Sequence, residues 1–247
     1  MRKLLSLVLL SCLAMIAPAS SNAQLLVTFP AADSTTVTAD WYPVSDEFPT
    51  ILLCHQNRFS RGEYQETALR LNKFGFNCLA IDQRVGSEVN GVINQTALEA
   101  KAKGQQPEFP DAEQDIRAGL DFLYDKYNKP VLILGSSYSA SLALKIANGN
   151  NKVSGVIVFS PGEYFQDKDF TRNSINGLDK PLFATSSREE SDKVTDLLRD
   201  VNSRIKVQYV PKTAGDHGSK VLWSKSSDNQ DYWAALMSFL MRMKKMQ

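Results

Sequence analysis

Histidine and cysteine are scarce in this chain, with two and three residues respectively among 247. Zinc sites are built mainly from these two side chains, so the composition argues against a bound metal. Neither charge is in clear excess, because 28 basic residues face 27 acidic ones. A nucleic-acid or anionic-membrane partner would favour a basic surplus, and none is present. Internal repeats, low-complexity tracts and linkers are also missing. These absences favour one domain that acts on a small molecule.

The N-terminal apolar run is the longest in the chain, yet it is too short to cross a bilayer comfortably. This run, 4–17, follows the cations Arg2 and Lys3 and precedes the small-x-small sequence Ser21-Asn22-Ala23. That order is typical of a cleaved signal peptide. We therefore predict a signal peptide at 1–23.

Cleavage would leave residues 24–247 as a single domain with a formal charge of −1, because two cations and no acids are removed. The mature protein is expected in the periplasm or outside the cell, without stable membrane insertion. Two alternatives stay open, an uncleaved N-terminal anchor and a lipoprotein attached at Cys12. The remaining cysteines, Cys54 and Cys78, are expected at opposite ends of neighbouring parallel strands, too far apart for a disulfide.

Apolar strand patterns alternate with amphipathic helix patterns along the mature chain. Strands are predicted at 25–29, 35–41, 50–54, 77–82, 130–135, 153–160, 180–185 and 204–210. Helices are predicted at 63–74, 96–103, from 110 onward, after 137, at 192–201 and at 231–243. This alternation predicts an α/β fold with a mostly parallel sheet of about eight strands and helices on both faces. The irregular segments 84–110 and 161–178 are expected to set specificity, the first as a short lid loop rather than a cap domain.

Ser137 lies where a buried strand turns into an apolar helix. The surrounding sequence is Val131-Leu132-Ile133-Leu134-Gly135-Ser136-Ser137-Tyr138-Ser139-Ala140. A sharp strand-to-helix turn of this kind holds a nucleophilic hydroxyl at the end of a sheet. The positions two before and two after the serine must then be small, as Gly135 and Ser139 are.

The scarcity of histidine narrows the choice of catalytic base to two residues. His217 follows the last predicted strand in the glycine-flanked loop Gly215-Asp216-His217-Gly218, where an imidazole can be aimed at a neighbour. We predict that it is the base. His55, just after the third strand, is predicted to hold its own loop in place.

A base histidine needs an acid to fix its tautomer. The segment after the strand 180–185 offers Glu189, Glu190 and Asp192. Glu190 is the preferred acid and Glu189 the first alternative, followed by Asp192.

The order Ser137, Glu190, His217 resembles that of the α/β-hydrolase superfamily. Further resemblance lies in Cys54-His55-Gln56-Asn57, Asp82-Gln83-Arg84, the strand led by Pro181, and the histidine loop. Small dienelactone-hydrolase-like and esterase-like members are the most similar. The chain departs from them at Ser139, where the family has glycine, and in using Ser137 where dienelactone hydrolases have cysteine.

The resemblance implies an oxyanion hole made of two backbone N–H groups. One belongs to Tyr138, next to the nucleophile. The other is that of Asn57, with Gln56 as the alternative. The side chain of Tyr138 is expected to be a packed aromatic rather than a contact for the leaving group.

Other polar residues near the same sheet edge are given structural roles. Arg58, Arg61 and Arg84 are expected on a solvated rim, although they could favour an anionic substrate. Asp82 is expected to hydrogen-bond within its own turn.

Together these features predict an exported serine hydrolase that cleaves carboxylic esters through an acyl-enzyme, with no metal or organic cofactor. Two alternatives stay open. One is a serine peptidase or amidase of the same fold. The other is a non-catalytic binding protein on the same scaffold.

Overall fold

The computed structural model describes residues 24–246. The predicted signal peptide, the anchor alternative and Cys12 all lie outside the described residues. Within the described range, no helix is both long enough and apolar enough to span a membrane.

Eight strands form the main sheet, as predicted. They are β1 (Leu25–Pro30), β2 (Thr36–Tyr42), β3 (Thr50–Cys54), β4 (Asn77–Ile81), β7 (Val131–Ser136), β8 (Val153–Phe159), β9 (Leu182–Thr185) and β10 (Lys206–Tyr209), with β5 (Glu88–Val89) and β6 (Val92–Ile93) forming a separate hairpin. Their spatial order is β1-β2-β4-β3-β7-β8-β9-β10. Pairing is antiparallel from β1 to β2 and from β2 to β4, and parallel from β4 through β10. The predicted mostly parallel sheet is confirmed.

Helices cover both faces of this sheet. They are α1 (Gln65–Lys73), α2 (Gln95–Ala102), α3 (Glu113–Tyr127), α4 (Tyr138–Ala147), α5 (Phe170–Ser174), α6 (Ser191–Leu197) and α7 (Asn229–Lys244). The apolar sides of α3, α4 and α6 pack into one core, and those of α1 and α7 into the other. The central strands separate the two cores, so their side chains are buried on both faces. This explains why β3, β4 and β7 read as unbroken apolar runs.

The register of β3 and β4 determines whether the two cysteines can form a disulfide. Cys54 lies opposite Ile81, and Cys78 lies opposite Ile51, so the thiols are at opposite ends of the pair. Both are free and buried, as predicted.

The main differences from the predicted elements are at helix and strand ends. Helix α6 ends at Leu197, whereas the sequence predicted a helix to 201. Beyond Leu197 the N–H of Val201 donates to the carbonyl of Leu198 in a turn, and the ammonium of Lys206 donates to the carbonyls of Leu198, Arg199 and Val201. The hairpin of β5 and β6 and helix α5 were not predicted, because each is too short to show a period.

Candidate active site

Ser137 occupies the sharp turn between β7 and α4. Its backbone has φ 59° and ψ −126°, a conformation that costs energy for a residue with a side chain and is typical of a nucleophile elbow. The turn brings the two elements very close together. A Cβ atom on Gly135 would lie 2.5 Å from the carbonyl oxygen of Ser139. Only glycine fits at that position, which explains the small residue that the sequence showed there.

The structure brings Ser137, His217 and Glu190 into one hydrogen-bonded row. The Nε2 atom of His217 lies 2.9 Å from the Oγ atom of Ser137. On the other side of the ring, Nδ1 lies 2.5 Å from Oε1 of Glu190. A carboxylate can only accept hydrogen bonds, so Nδ1 carries the proton and Nε2 is left to accept from the serine hydroxyl. This is the tautomer that general-base catalysis requires.

Glu190 is held in its charged form. Burial acts to raise the pKa of Glu190, but hydrogen bonds from His217 and Ser160 outweigh burial and lower it to about 2. The carboxylate therefore stays ionised at neutral pH and can stabilise a protonated imidazole. The alternative acids are placed differently: Glu189 and Asp192 are exposed, and neither hydrogen-bonds to His217.

Ser160 supports this acid and was missed by the sequence analysis. Its hydroxyl donates to Oε2 of Glu190 at 2.7 Å and accepts from the N–H of Gly218 at 3.0 Å. It therefore links the acid to the histidine loop. Its backbone φ of 52° is unusual for serine. The available signal was its position after a buried strand, at the edge where the other site residues gather.

The predicted oxyanion donors are the backbone N–H groups of Tyr138 and Asn57. The N–H of Tyr138 is the first of helix α4, and neither it nor the N–H of Asn57 donates to any group among the residues the structure describes. The alternative donor, Gln56, is already used, because its N–H donates to Glu63 at 2.9 Å. These contacts leave Tyr138 and Asn57 as the available pair.

The side chain of Tyr138 points into the protein. Its ring stacks on Phe109 with centroids 4.5 Å apart, and its hydroxyl donates to the carbonyl of Val85 at 3.0 Å. This is the packed aromatic that the sequence analysis expected.

His55 is a neutral, structural residue in this arrangement. It is fully buried, and burial lowers its pKa to about 4. Nε2 accepts from the N–H of Gln83 at 3.0 Å, while Nδ1 lies 2.8 Å from the carbonyl of Gln56. The ring thus fixes the loop after β3, as predicted.

The prediction of a solvated arginine rim is wrong for two of its three members. Arg84 is buried and pairs with Asp33 and Asp115 at 2.7 and 2.8 Å. Arg61 pairs with Asp40 and Asp82. The prediction for Asp82 is also wrong, since it accepts from the N–H groups of Arg61 and Gln95 rather than within its own turn. Both arginines therefore form ion pairs inside the protein. The sequence did not indicate these pairs, because the acids lie in distant parts of the chain.

An apolar groove lies next to Tyr164, and Ser137 and His217 themselves do not line it. It has a volume of about 480 Å³ and is lined by Val85, Pro107, Glu108, Phe109, Pro110, Tyr164, Phe165, Gln166, Asp167 and Phe170. Tyr164 joins the groove to the site, because its ring meets that of His217 edge to face at 6.4 Å. The lining comes from the two segments, 84–110 and 161–178, that were predicted to set specificity.

The comparisons with known proteins agree with this fold. Residues 46–221 match the family described as "Serine aminopeptidase, S33". The chain belongs to this family of α/β hydrolases and is a hydrolase. No curated protein matches the chain.

Solved structures with the same fold include esterases, a dienelactone hydrolase and a peptidase. An esterase of Pyrococcus furiosus, Pf2001, has a TM-score of 0.66 at 20% identity, covering 90% of this chain and 93% of that chain. A dienelactone hydrolase from Anabaena variabilis has a TM-score of 0.68 at 13% identity, covering 89% and 97%. An acylaminoacyl peptidase of Pyrococcus horikoshii has a TM-score of 0.65 at 13% identity, covering 90% of this chain but 42% of that one. At these identities the likeness concerns the fold, and the predicted resemblance to small α/β hydrolases is confirmed.

Proposed function

We propose that this hydrolase cleaves carboxylic esters by a serine mechanism, after export from the cytoplasm. The observation that carries the proposal is the row in which His217 lies 2.9 Å from Ser137 and 2.5 Å from Glu190. A binding protein would not need a hydroxyl, an imidazole and a carboxylate at these distances. The same contacts therefore favour catalysis over the binding alternative.

The proposed reaction has two halves. The Oγ atom of Ser137 attacks the ester carbonyl while Nε2 of His217 takes its proton. The oxyanion accepts from the N–H groups of Tyr138 and Asn57, and collapse of the intermediate expels the alcohol, which receives the proton from His217. Water then attacks the acyl-enzyme with His217 again as base, releasing the acid and restoring Ser137. Glu190 keeps its charge throughout and stabilises the imidazolium.

A fluorophosphonate probe followed by mass-spectrometric mapping tests the nucleophile. Labelling at Ser137, with loss of esterase activity in proportion, is the expected result. Labelling at another residue, or full activity in protein labelled at Ser137, would contradict the proposal.

Cleavage of amides is the second candidate, and the family description favours it. It uses the same three residues and differs in the leaving group. Comparing p-nitrophenyl esters with aminoacyl p-nitroanilides separates the two candidates. We expect the esters to give the higher kcat/KM, and the reverse order would assign the protein to the peptidases.

The charge of the groove predicts a preference among acyl groups. Of the described residues that line it, Glu108 and Asp167 are acids and none is basic. We expect p-nitrophenyl butyrate to be cleaved with a kcat/KM about fivefold above that of p-nitrophenyl hemisuccinate, whose carboxylate would face these acids. Replacing both acids, in Glu108→Gln/Asp167→Asn, should lower the ratio of kcat/KM for the butyrate ester to that for the hemisuccinate ester.

The matched control for this prediction is Asp179→Asn, because Asp179 is exposed and lies outside the groove lining. It should leave the ratio unchanged. Equal rates for the two esters in the unmodified enzyme would mean that the groove does not receive the acyl group.

A further inference from the structure

Glu63 is a fully buried carboxylate that the proposed mechanism does not use. It lies in a single 3-10 turn, Arg61–Tyr64, directly before α1. Burying a charged group costs free energy unless its partners compensate, and an apolar residue of similar size is often as stable. Its contacts therefore call for an explanation.

The carboxylate of Glu63 joins two loops of the active site. Oε2 accepts from the N–H of Gln56, the residue directly before the oxyanion donor Asn57, at 2.9 Å. Oε1 lies 2.6 Å from the hydroxyl of Ser219, two residues after His217. One carboxylate thus holds the oxyanion loop and the histidine loop at a fixed separation.

A second set of contacts ties these two loops to the nucleophile. The N–H of Ser219 donates to Oγ of Ser136 at 2.8 Å, and Ser136 Oγ lies 3.3 Å from Oε1 of Gln56. Ser136 immediately precedes the nucleophile. These contacts therefore form a closed ring of hydrogen bonds beneath the active site, made by Glu63, Gln56, Ser136 and Ser219.

We propose that Glu63 is a positioning residue, whose ionised carboxylate holds the N–H of Asn57 and the imidazole of His217 in register with Ser137. This inference rests on the proposed function, because Glu63 acts only through those groups. An ionised carboxylate accepts stronger hydrogen bonds than a neutral carboxyl or amide does. Its negative charge also favours the imidazolium that forms during attack. Turnover should therefore depend on the charge of Glu63 as well as on its shape.

The charge of Glu63 changes near neutral pH. Burial raises the pKa of Glu63 to about 7, while hydrogen bonds from Ser219 and Gln56 act in the opposite direction. The titratable groups that act on it or feel its charge are His217 on the histidine loop, Tyr64 on its own turn and Tyr138 at the start of α4. Burial raises the pKa of both tyrosines, so they stay neutral when Glu63 ionises.

The sign of the pH effect follows from these states. Raising the pH ionises Glu63, and this change favours catalysis. The ionisation of Glu63 should therefore make the pH dependence of kcat/KM steeper around pH 7, over the roughly tenfold range of rate that its charge controls. Without the carboxylate of Glu63, this steeper region should be missing.

The test compares Glu63→Gln with unmodified enzyme on p-nitrophenyl acetate across this pH range. Glutamine keeps the size and the acceptor for Gln56 but removes the charge. We expect kcat to fall about tenfold with KM nearly unchanged, and the slope of the pH dependence around pH 7 to become smaller. Glu66→Gln is the matched control, because Glu66 is exposed on α1 and accepts from Ser224 outside the ring. The control should keep both kcat and the slope.

Unchanged kcat and slope in Glu63→Gln would overturn the inference. So would a lower kcat with an unchanged slope, because that result indicates a packing role alone. If thermal melting shows that Glu63→Gln does not fold, Ser219→Ala takes its place. That variant cuts the link to the histidine loop and should lower kcat at constant KM, whereas an unchanged kcat would again overturn the inference. Fluorophosphonate labelling separates this outcome from failure of the proposed function, because labelling at Ser137 tests the nucleophile independently of Glu63.

Discussion

Replacing Ser137 by alanine is expected to lower kcat for p-nitrophenyl acetate by roughly 10⁶-fold, with KM little changed. The reason is that, among the residues the structure describes, Ser137 has the only hydroxyl that hydrogen-bonds to Nε2 of His217. Its Nε2 contacts Ser137, and its Nδ1 is occupied by Glu190. Steady-state kinetics on purified protein gives the measurement, with active-site titration to exclude traces of unmodified enzyme.

Ser141→Ala is the matched control for this variant. Ser141 is buried one turn further along α4, and its hydroxyl bonds to the carbonyl of Gly162 rather than to His217. It should retain nearly full kcat. A Ser137→Ala enzyme that keeps more than a small fraction of the activity would mean that another group attacks the ester.

Replacing Glu190 by glutamine is expected to lower kcat by about 10³- to 10⁴-fold without unfolding the protein. Two donors, the hydroxyl of Ser160 and the N–H of Ser187, point at the Oε2 position. They will hold the amide oxygen there and turn the NH₂ group toward His217. Nδ1 must then accept, so Nε2 carries the proton and cannot take one from Ser137.

Glu189→Gln removes the same charge from the neighbouring residue and is the control. Glu189 is exposed and does not hydrogen-bond to His217, so its replacement should leave kcat nearly unchanged. If the two variants had equal activity, or if Glu189→Gln were the slower, the assignment of the acid would be wrong. The ratio of the two kcat values is therefore the quantity to measure.

The fold could be predicted almost entirely from the sequence, because its central strands are buried on both faces and appear as unbroken apolar runs. The edge at which the site forms followed from the same pattern, since parallel strands end together. The Ser137 turn was visible through the small residues Gly135 and Ser139. The choice of His217 as the base was easier because the chain has only two histidines.

The polar contacts beneath the site could not be predicted in this way. Glu63 and Ser219 are 156 positions apart, yet they hydrogen-bond in the core. Arg84 pairs with Asp115 across 31 positions, so its burial depends on a partner that no local pattern indicates. Ser160 is an ordinary serine in the sequence, and only the folded chain brings it to Glu190. Side chains of this kind show their role through distance in space rather than spacing along the chain.

Hydrolysis of p-nitrophenyl acetate by Ser137→Ala, His217→Ala and the double variant tests most directly whether these residues act as one unit. If they do, each single replacement removes the whole effect, and the double variant should be no slower than the slower single variant. Losses that multiply in the double variant would mean that Ser137 and His217 contribute independently, which contradicts a mechanism in which one activates the other.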